Sequence, residues 1–83
     1  IDEGFRERIE TFFNYWKTAL SEALKRGQQQ GIVDESINTD DCAIFILAAI
    51  EGALGMAKTH QSKAVYFSCS RELERYLNTL RRA

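Results

Sequence analysis

One stretch restricts the fold of this chain more than any other. Between Asp41 and Lys58 lie sixteen residues, CAIFILAAIEGALGMA, with a single charge, Glu51. A membrane span needs about 20 predominantly apolar residues, so this shorter and interrupted run is expected to be buried inside protein. A helix that is apolar nearly all round requires partners on more than one side. At about 100° per residue, Cys42, Ala43, Ile46, Ala49, Ile50, Ala53 and Ala57 gather on one side, and Ile44, Ala48, Glu51, Gly52 and Gly55 lie roughly opposite. The second side is small, and Ala48 and Gly52, four residues apart, let another helix come close. The sequence therefore predicts that one side packs on the chain's own domain and the other on a second subunit.

Length supports that expectation. A chain of 83 residues is a single domain, and folding at this size buries only roughly 60–65% of the unfolded surface, so its own core is thin. Nine aromatic residues argue for a folded globule, and the absence of proline favours helices. Eleven basic and twelve acidic residues leave a net charge of −1, which gives no electrostatic footprint for nucleic acid. Cys42 and Cys69 fall on apolar helical positions and fit no metal spacing; they read as buried free thiols in a reducing compartment rather than as a disulfide framework. The start, IDEGFRER, has no signal-peptide pattern and no methionine, and the sequence leads us to expect a piece of something longer.

Three stretches carry helical spacing. From Asp2 to Gln30 the apolar positions are Phe5, Ile9, Phe12, Phe13, Trp16, Leu20, Ala23, Leu24 and Gly27, and the opposite, solvated face is Arg6, Glu10, Lys17, Ser21, Glu22, Lys25 and Gln28. This is either one long helix or two with a break near Thr11 and Phe12. Gly31 is the natural left-handed stop, with Ile32 placed to pack back on the last turn, although Gly27 could end the helix a turn earlier. Ile32–Ile37 is a short connector pinned by its three aliphatic residues. Asn38, with Asp41 three residues on, opens the second helix in a capping-box-like arrangement; Thr39 is an equally acceptable cap. That helix is expected to run to about Thr59. Ser62 then caps a third, Lys63 to Arg82, with Tyr66, Cys69, Leu73, Tyr76, Leu77 and Leu80 along one stripe. The expected fold is all-α, of three or four helices, with no strand, repeat or flexible linker.

Catalytic chemistry finds little footing. There is one histidine, His60, no nucleophile next to a candidate base, and no glycine-rich phosphate loop, and neither a metal nor a cofactor is expected. His60 reads first as a solvated or capping residue at a helix end and second as a hydrogen-bonding group in a pocket. Phe12, Phe13 and Trp16 form an aromatic cluster that with Phe45 and Met56 could line an apolar cavity; the alternative is that a thin core simply uses its largest side chains. Glu51 is either a buried, paired carboxylate at a functional site or a group that reaches solvent or a basic residue across a dimer.

The phrases FFNYWKTALSEALKRGQQQGIV, NTDDCAIFILAAIEGALGMAK and ELERYLNTLRR together resemble the C-terminal half of TetR-type transcriptional regulators. The resemblance covers essentially the whole chain and rests on the order Trp16, Ala19-Leu20, Ala23-Leu24, Gly27, Gly31, Ala43, Glu51-Gly52-Ala53 and Ala57-Lys58. It carries no catalytic motif. It implies one ligand-binding and dimerisation domain over residues 1–83, a DNA-binding helix-turn-helix that would precede Ile1 and is absent here, and a cytoplasmic protein without a membrane segment. It also implies a homodimer through a four-helix bundle from the last two helices of each subunit, Thr39 to Thr59 and Lys63 to Arg82, with Ile44, Ala48, Glu51, Gly52, Gly55, Leu73 and Leu77 at the interface. A small apolar or aromatic effector is expected near Phe12, Phe13, Trp16, Phe45, Met56 and His60, and operator DNA is a partner only through the missing domain. A helical homodimer without a ligand, and a small helical enzyme, are the alternatives.

Overall fold

The computed structural model describes residues 2–83. They form three helices, α1 (Glu3–Gln29), α2 (Thr39–His60) and α3 (Lys63–Thr79), in the all-α architecture expected, with no strand among the described residues. Each helix starts on a side-chain cap that satisfies an otherwise orphaned amide. The Asp2 carboxylate accepts from the Gly4 N–H, the Asn38 side chain from the Asp41 N–H, and the Ser62 hydroxyl from the Ala64 N–H. The first helix is continuous, 27 residues and so about 40 Å long, without the break considered near Thr11.

Its end depends on two glycines. Gly31 stands at φ +76°, the Ile32 N–H reaches the Gly27 carbonyl at 2.9 Å, and the Gly31 N–H reaches that of Gln28 at 3.1 Å. This is the paired hydrogen-bond pattern of a left-handed helix stop. The accompanying apolar contact would join Ile32 to the residue at Gly27, which has no side chain to offer. Ile32 therefore stays 56% exposed instead of packing back, and Val33 takes the space, so close that a Cβ on Gly27 would stand 2.5 Å from Val33 Cγ2. Gly27 does not end the helix; it lets the connector lie on it. The second helix stops in the same pattern, the Ser62 N–H bonding the Ala57 carbonyl at 3.0 Å, but with Gln61 at φ +50° where glycine would be unstrained.

The helices lie side by side with α2 in the middle, in a shallow layer of 42 × 33 × 13 Å. Both α1 and α3 pack on α2, and they do not approach each other. The core is correspondingly small: Cys42, Ala43, Ile46, Ala53 and Leu80 are buried, and no large side chain is fully enclosed among the described residues. The radius of gyration, 14.8 Å, exceeds the roughly 12 Å of a compact domain of this length.

The inward stripe of α1 is rotated from the expected one. Phe13, Lys17, Leu20, Ser21, Leu24, Gly27 and Gln28 face inward, whereas Phe5, Ile9, Phe12 and Trp16 remain exposed. Lys17, Ser21 and Gln28, assigned to the solvated face by their polarity, are corrected by this. Ser21 is 2% exposed and hydrogen-bonds the Thr39 hydroxyl at 2.9 Å and the Asp40 carboxylate at 2.5 Å. The Gln28 amide donates to the carbonyls of Asp34 and Ile37 at 3.1 and 3.2 Å. Ser21 and Gln28 can face inward because each has a partner, whereas Lys17 is half-buried along the α1–α2 cleft. The third helix also ends earlier than expected, at Thr79 rather than Arg82. Val33 and Arg81 form an isolated antiparallel bridge, flanked by Asp34 N–H to the Leu80 carbonyl at 2.8 Å and Arg82 N–H to the Ile32 carbonyl at 2.7 Å.

With 22 residues, α2 is long and apolar enough to cross a membrane by length and composition, so shortness does not exclude a span. What opposes one is its surroundings. Glu51 on α2 and Lys17 and Glu72 on the flanking helices line clefts along it, and charged groups at the centre of a bilayer cost roughly 2.5–3.5 kcal/mol each on insertion scales.

Two sets of substitutions follow. Gly27→Ala is expected to destabilise by about 1–2 kcal/mol despite alanine's helix propensity, because the methyl displaces Val33, while Gln61→Gly is expected to stabilise by about 1 kcal/mol by relieving the left-handed residue; urea denaturation reads both. Ser21→Ala should lower stability near neutral pH by about 1–2 kcal/mol, leaving the buried Thr39 hydroxyl without its partner. The Ser21 hydroxyl, with Lys25 and Lys17 helping and desolvation opposing, holds the Asp40 carboxyl below its ordinary range. A lowered carboxyl stabilises the fold above the unfolded value, about 3.9, and that contribution is lost as pH falls through the folded value. Acid titration of Ser21→Ala should accordingly show a shallower loss of stability than the parent.

Candidate functional site

With α1 and α3 at its edges, α2 leaves the layer two broad faces, and neither is covered. On the first, Ile44, Ala48, Glu51, Gly52 and Gly55 are all exposed, and a Cβ on Gly52 or Gly55 would meet no atom within 4 Å. Two clefts flank this line of mostly small residues and share Ala48. One, about 430 Å³, runs between α1 and α2 and is lined by Phe13, Lys17, Ile44, Leu47 and Glu51 among others. The other, about 290 Å³, runs between α2 and α3 and includes Phe45, Gly52, Met56, Glu72, Leu73 and Tyr76. The Phe45 and Tyr76 rings are 4.7 Å apart. A hydrogen bond with the Cys42 thiol, followed by burial, pushes the Tyr76 phenol up to about 12, so it stays neutral and protonated under ordinary conditions.

The opposite face is aromatic. Phe5, Ile9, Phe12 and Trp16 recur at four-, three- and four-residue spacing along α1, all exposed. Phe12 and Trp16 each lie about 160° around the helix from Asn14, which lines the first-face cleft. The Phe12 ring is 6.2 Å from Trp16 and 6.1 Å from Phe13. On α2 the same aspect is left open because α1 diverges. Ala43 is fully buried, yet Ile50, seven residues on in the same register, is exposed; on the side of α2 that faces α1, Leu47 is half-buried, yet Leu54 is exposed. A smaller cleft of about 230 Å³ between α2 and α3 on this side includes Ile50, Tyr66 and Ser70.

The aromatic and sulfur residues grouped in the sequence are therefore divided between two places. Phe12 and Trp16 lie on the second face, Phe45 and Met56 in a groove of the first, and Phe13 at the α1–α2 cleft. His60 is the exposed last residue of α2 and lines none of these clefts. Of the residues grouped for subunit contact, Ile44, Ala48, Glu51, Gly52 and Gly55 share the first face, and Leu73 sits at the α2–α3 seam, lining clefts on both sides. Leu77 follows Ser70 by seven residues and so belongs to the second face. Cys42 is buried and Cys69 half-buried, both as free thiols, and no cluster of three or more metal-ligating side chains occurs among the described residues.

These surfaces are mostly apolar, with small residues on one and aromatics on the other. The charged residues lining the two first-face clefts are Lys17, Glu51 and Glu72. Sequence reasoning missed the Ser21–Thr39–Asp40 network and the bridge at Arg81. Ser21 could have been suspected from its place between Leu20 and Leu24, inside an apolar run.

The family described as transcriptional regulator LmrA/YxaF-like, C-terminal domain, matches residues 1–72. No curated protein and no solved structure matches the chain.

Proposed function

Since the chain belongs to the TetR-type regulators, as an LmrA/YxaF-like C-terminal domain, we propose that it is the effector-sensing and dimerisation part of a repressor in which a small molecule releases operator DNA. The observation that carries this reading is the difference between the two uncovered faces, one built of small residues and the other of aromatics. Small residues allow close helix approach, and they support a homodimer in which α2 and α3 of two subunits form a four-helix bundle across Ile44, Ala48, Gly52 and Gly55. The area agrees: the chain exposes 6497 Å², against roughly 5,000 Å² for a compact monomer of its mass. The surplus is shared between the two uncovered faces and is large enough to include what a stable dimer buries on each partner.

The aromatic face is assigned to the effector. Phe12 and Trp16 form one wall, with Ile50 and Leu54 beside the gap where α1 diverges, and the facing wall is assigned to residues preceding Ile1. The ligand is small and apolar or aromatic, because this face offers π-surface and aliphatic carbon but no charge. Phe45 and Met56 belong to the subunit contact in this reading, and His60 has no role in it. An effector that binds one arrangement of α1 more tightly than another shifts the dimer toward that arrangement, and operator affinity falls by the same differential free energy. With a net charge of −1, DNA contact is left to a domain outside these residues, and a cytoplasmic location follows from that role. The openness of every cleft favours a second reading, a dimerisation module without a ligand.

Gly52→Arg and Ala48→Glu are expected to give monomer or aggregate, because a close helix contact cannot admit the added bulk. Multi-angle light scattering showing the parent chain as monomer at concentrations on the order of tens of micromolar would end the dimer reading. For the effector, a thermal-shift screen of hydrophobic compounds should yield hits whose stabilisation is lost in Trp16→Ala and kept in Met56→Ala, with both variants folded. Hits insensitive to Trp16 would move the site elsewhere, and no hits would favour the module without a ligand.

A further inference from the structure

We propose that Leu80–Arg82 act as a clasp coupling α1 to α3 directly, in parallel with the path through α2. Along their lengths α1 and α3 do not touch, since α2 lies between them. At one end of the layer they are nonetheless tied. Asp34 N–H bonds the Leu80 carbonyl at 2.8 Å, Arg82 N–H bonds the Ile32 carbonyl at 2.7 Å, and Leu80 is 6% exposed although most of α3 is open to solvent. The connector they grip is itself fixed to α1, by the Gln28 amide on the carbonyls of Asp34 and Ile37 and by Val33 lying on Gly27. Leu80–Arg82 thus hold the C-terminal end of α1 through a continuous chain of hydrogen bonds and van der Waals contact.

The other end has nothing equivalent. The turn at Gln61 and Ser62 bonds only to α2 and α3, and the hydrogen bonds and ion pairs of the first turns of α1 join it only to itself and its cap. A helix of about 40 Å held at one end is a lever: turning it by about 5° at the clasp moves its far end by roughly 3.5 Å. The clasp makes α3 share such a turn, whereas α2 alone could absorb it by sliding on the small residues of the α2–α3 seam, Ala49 and Ala53. This coupling is independent of whether α1 carries an effector, and it holds for any load on that helix.

The test measures two distances in the full chain, with labels attached by non-cysteine chemistry and diluted with unlabelled protein. One pair, Glu22 and Asn78, spans α1 and α3, and the other, Glu22 and Asp41, spans α1 and α2. Two variants are compared with the parent: Arg82→Pro, which removes the amide that the Ile32 carbonyl uses but keeps Leu80, and deletion of 80–83. The clasp predicts an α1–α3 distribution about twice as wide in the deletion and intermediate in Arg82→Pro, with the α1–α2 distribution unchanged. Should the deletion fail to fold, Arg82→Pro alone decides. An unchanged α1–α3 distribution, or equal broadening of both pairs, would overturn the proposal, the first because α2 suffices and the second because these residues would then be ordinary core.

Discussion

The structure depends on one imbalance: α2 is apolar on nearly every side, and only two helices are present to cover it. Burying apolar surface is the main favourable term in folding, and α1 and α3 satisfy it along the edges of α2, where Ala43, Ile46 and Ala53 are enclosed. Two flanking helices that do not meet leave both broad aspects of the middle one open. A domain normally closes its core with a second layer. Here neither broad face has a second layer, and in the function proposed above another subunit supplies one on the small-residue face.

Polar contacts are distributed as unevenly as apolar ones. The Ser21, Thr39 and Asp40 network, the Gln28 amide and the bridge at Val33 and Arg81 all gather at the end of the layer where α1 passes into α2. That end is stiff because its donors and acceptors are paired with partners fixed on other elements. The far end, where α1 leaves α2 and the apolar residues Ile50 and Leu54 are uncovered, is held by little beyond helix-internal bonds. A layer tied at one end and open at the other leaves the open half of α1 as the part that is least expensive to move.

The helices and their caps were legible in the sequence because their signals are local. Asn38, Ser62 and Gly31 act on amides and carbonyls within a few residues, and the three-and-four spacing of apolar residues is set by helix geometry. The inward stripe of α1 was not legible, because its apolar residues cover a wide arc. Phe12 and Trp16 look as fit for burial as Leu20 and Leu24 until the position of α2 is known. Ser21 and Gln28 were misplaced for a related reason: the partners that let them face inward, Thr39, Asp40 and the carbonyls of Asp34 and Ile37, come from other segments. The end of α3 was overestimated because the backbone groups competing for its last residues belong to Ile32 and Asp34, nearly fifty residues earlier. For the candidate site, the small face of α2 was legible from composition, whereas the separation of Phe12 and Trp16 from Phe45 and Met56 required the packing.

The central claim is that the small-residue face is closed by a second copy while the aromatic face of the same chain stays open. Oxidative side-chain footprinting across a dilution series tests it most directly, since it reads Ile44, Phe45 and Met56 on one face and Phe12 and Trp16 on the other in one sample. The account predicts that Ile44, Phe45 and Met56 are protected at high concentration and become reactive on dilution, with Phe12 and Trp16 reactive throughout. Reactivity of Ile44, Phe45 and Met56 that does not change with concentration, or protection that falls instead on Phe12 and Trp16, would contradict it.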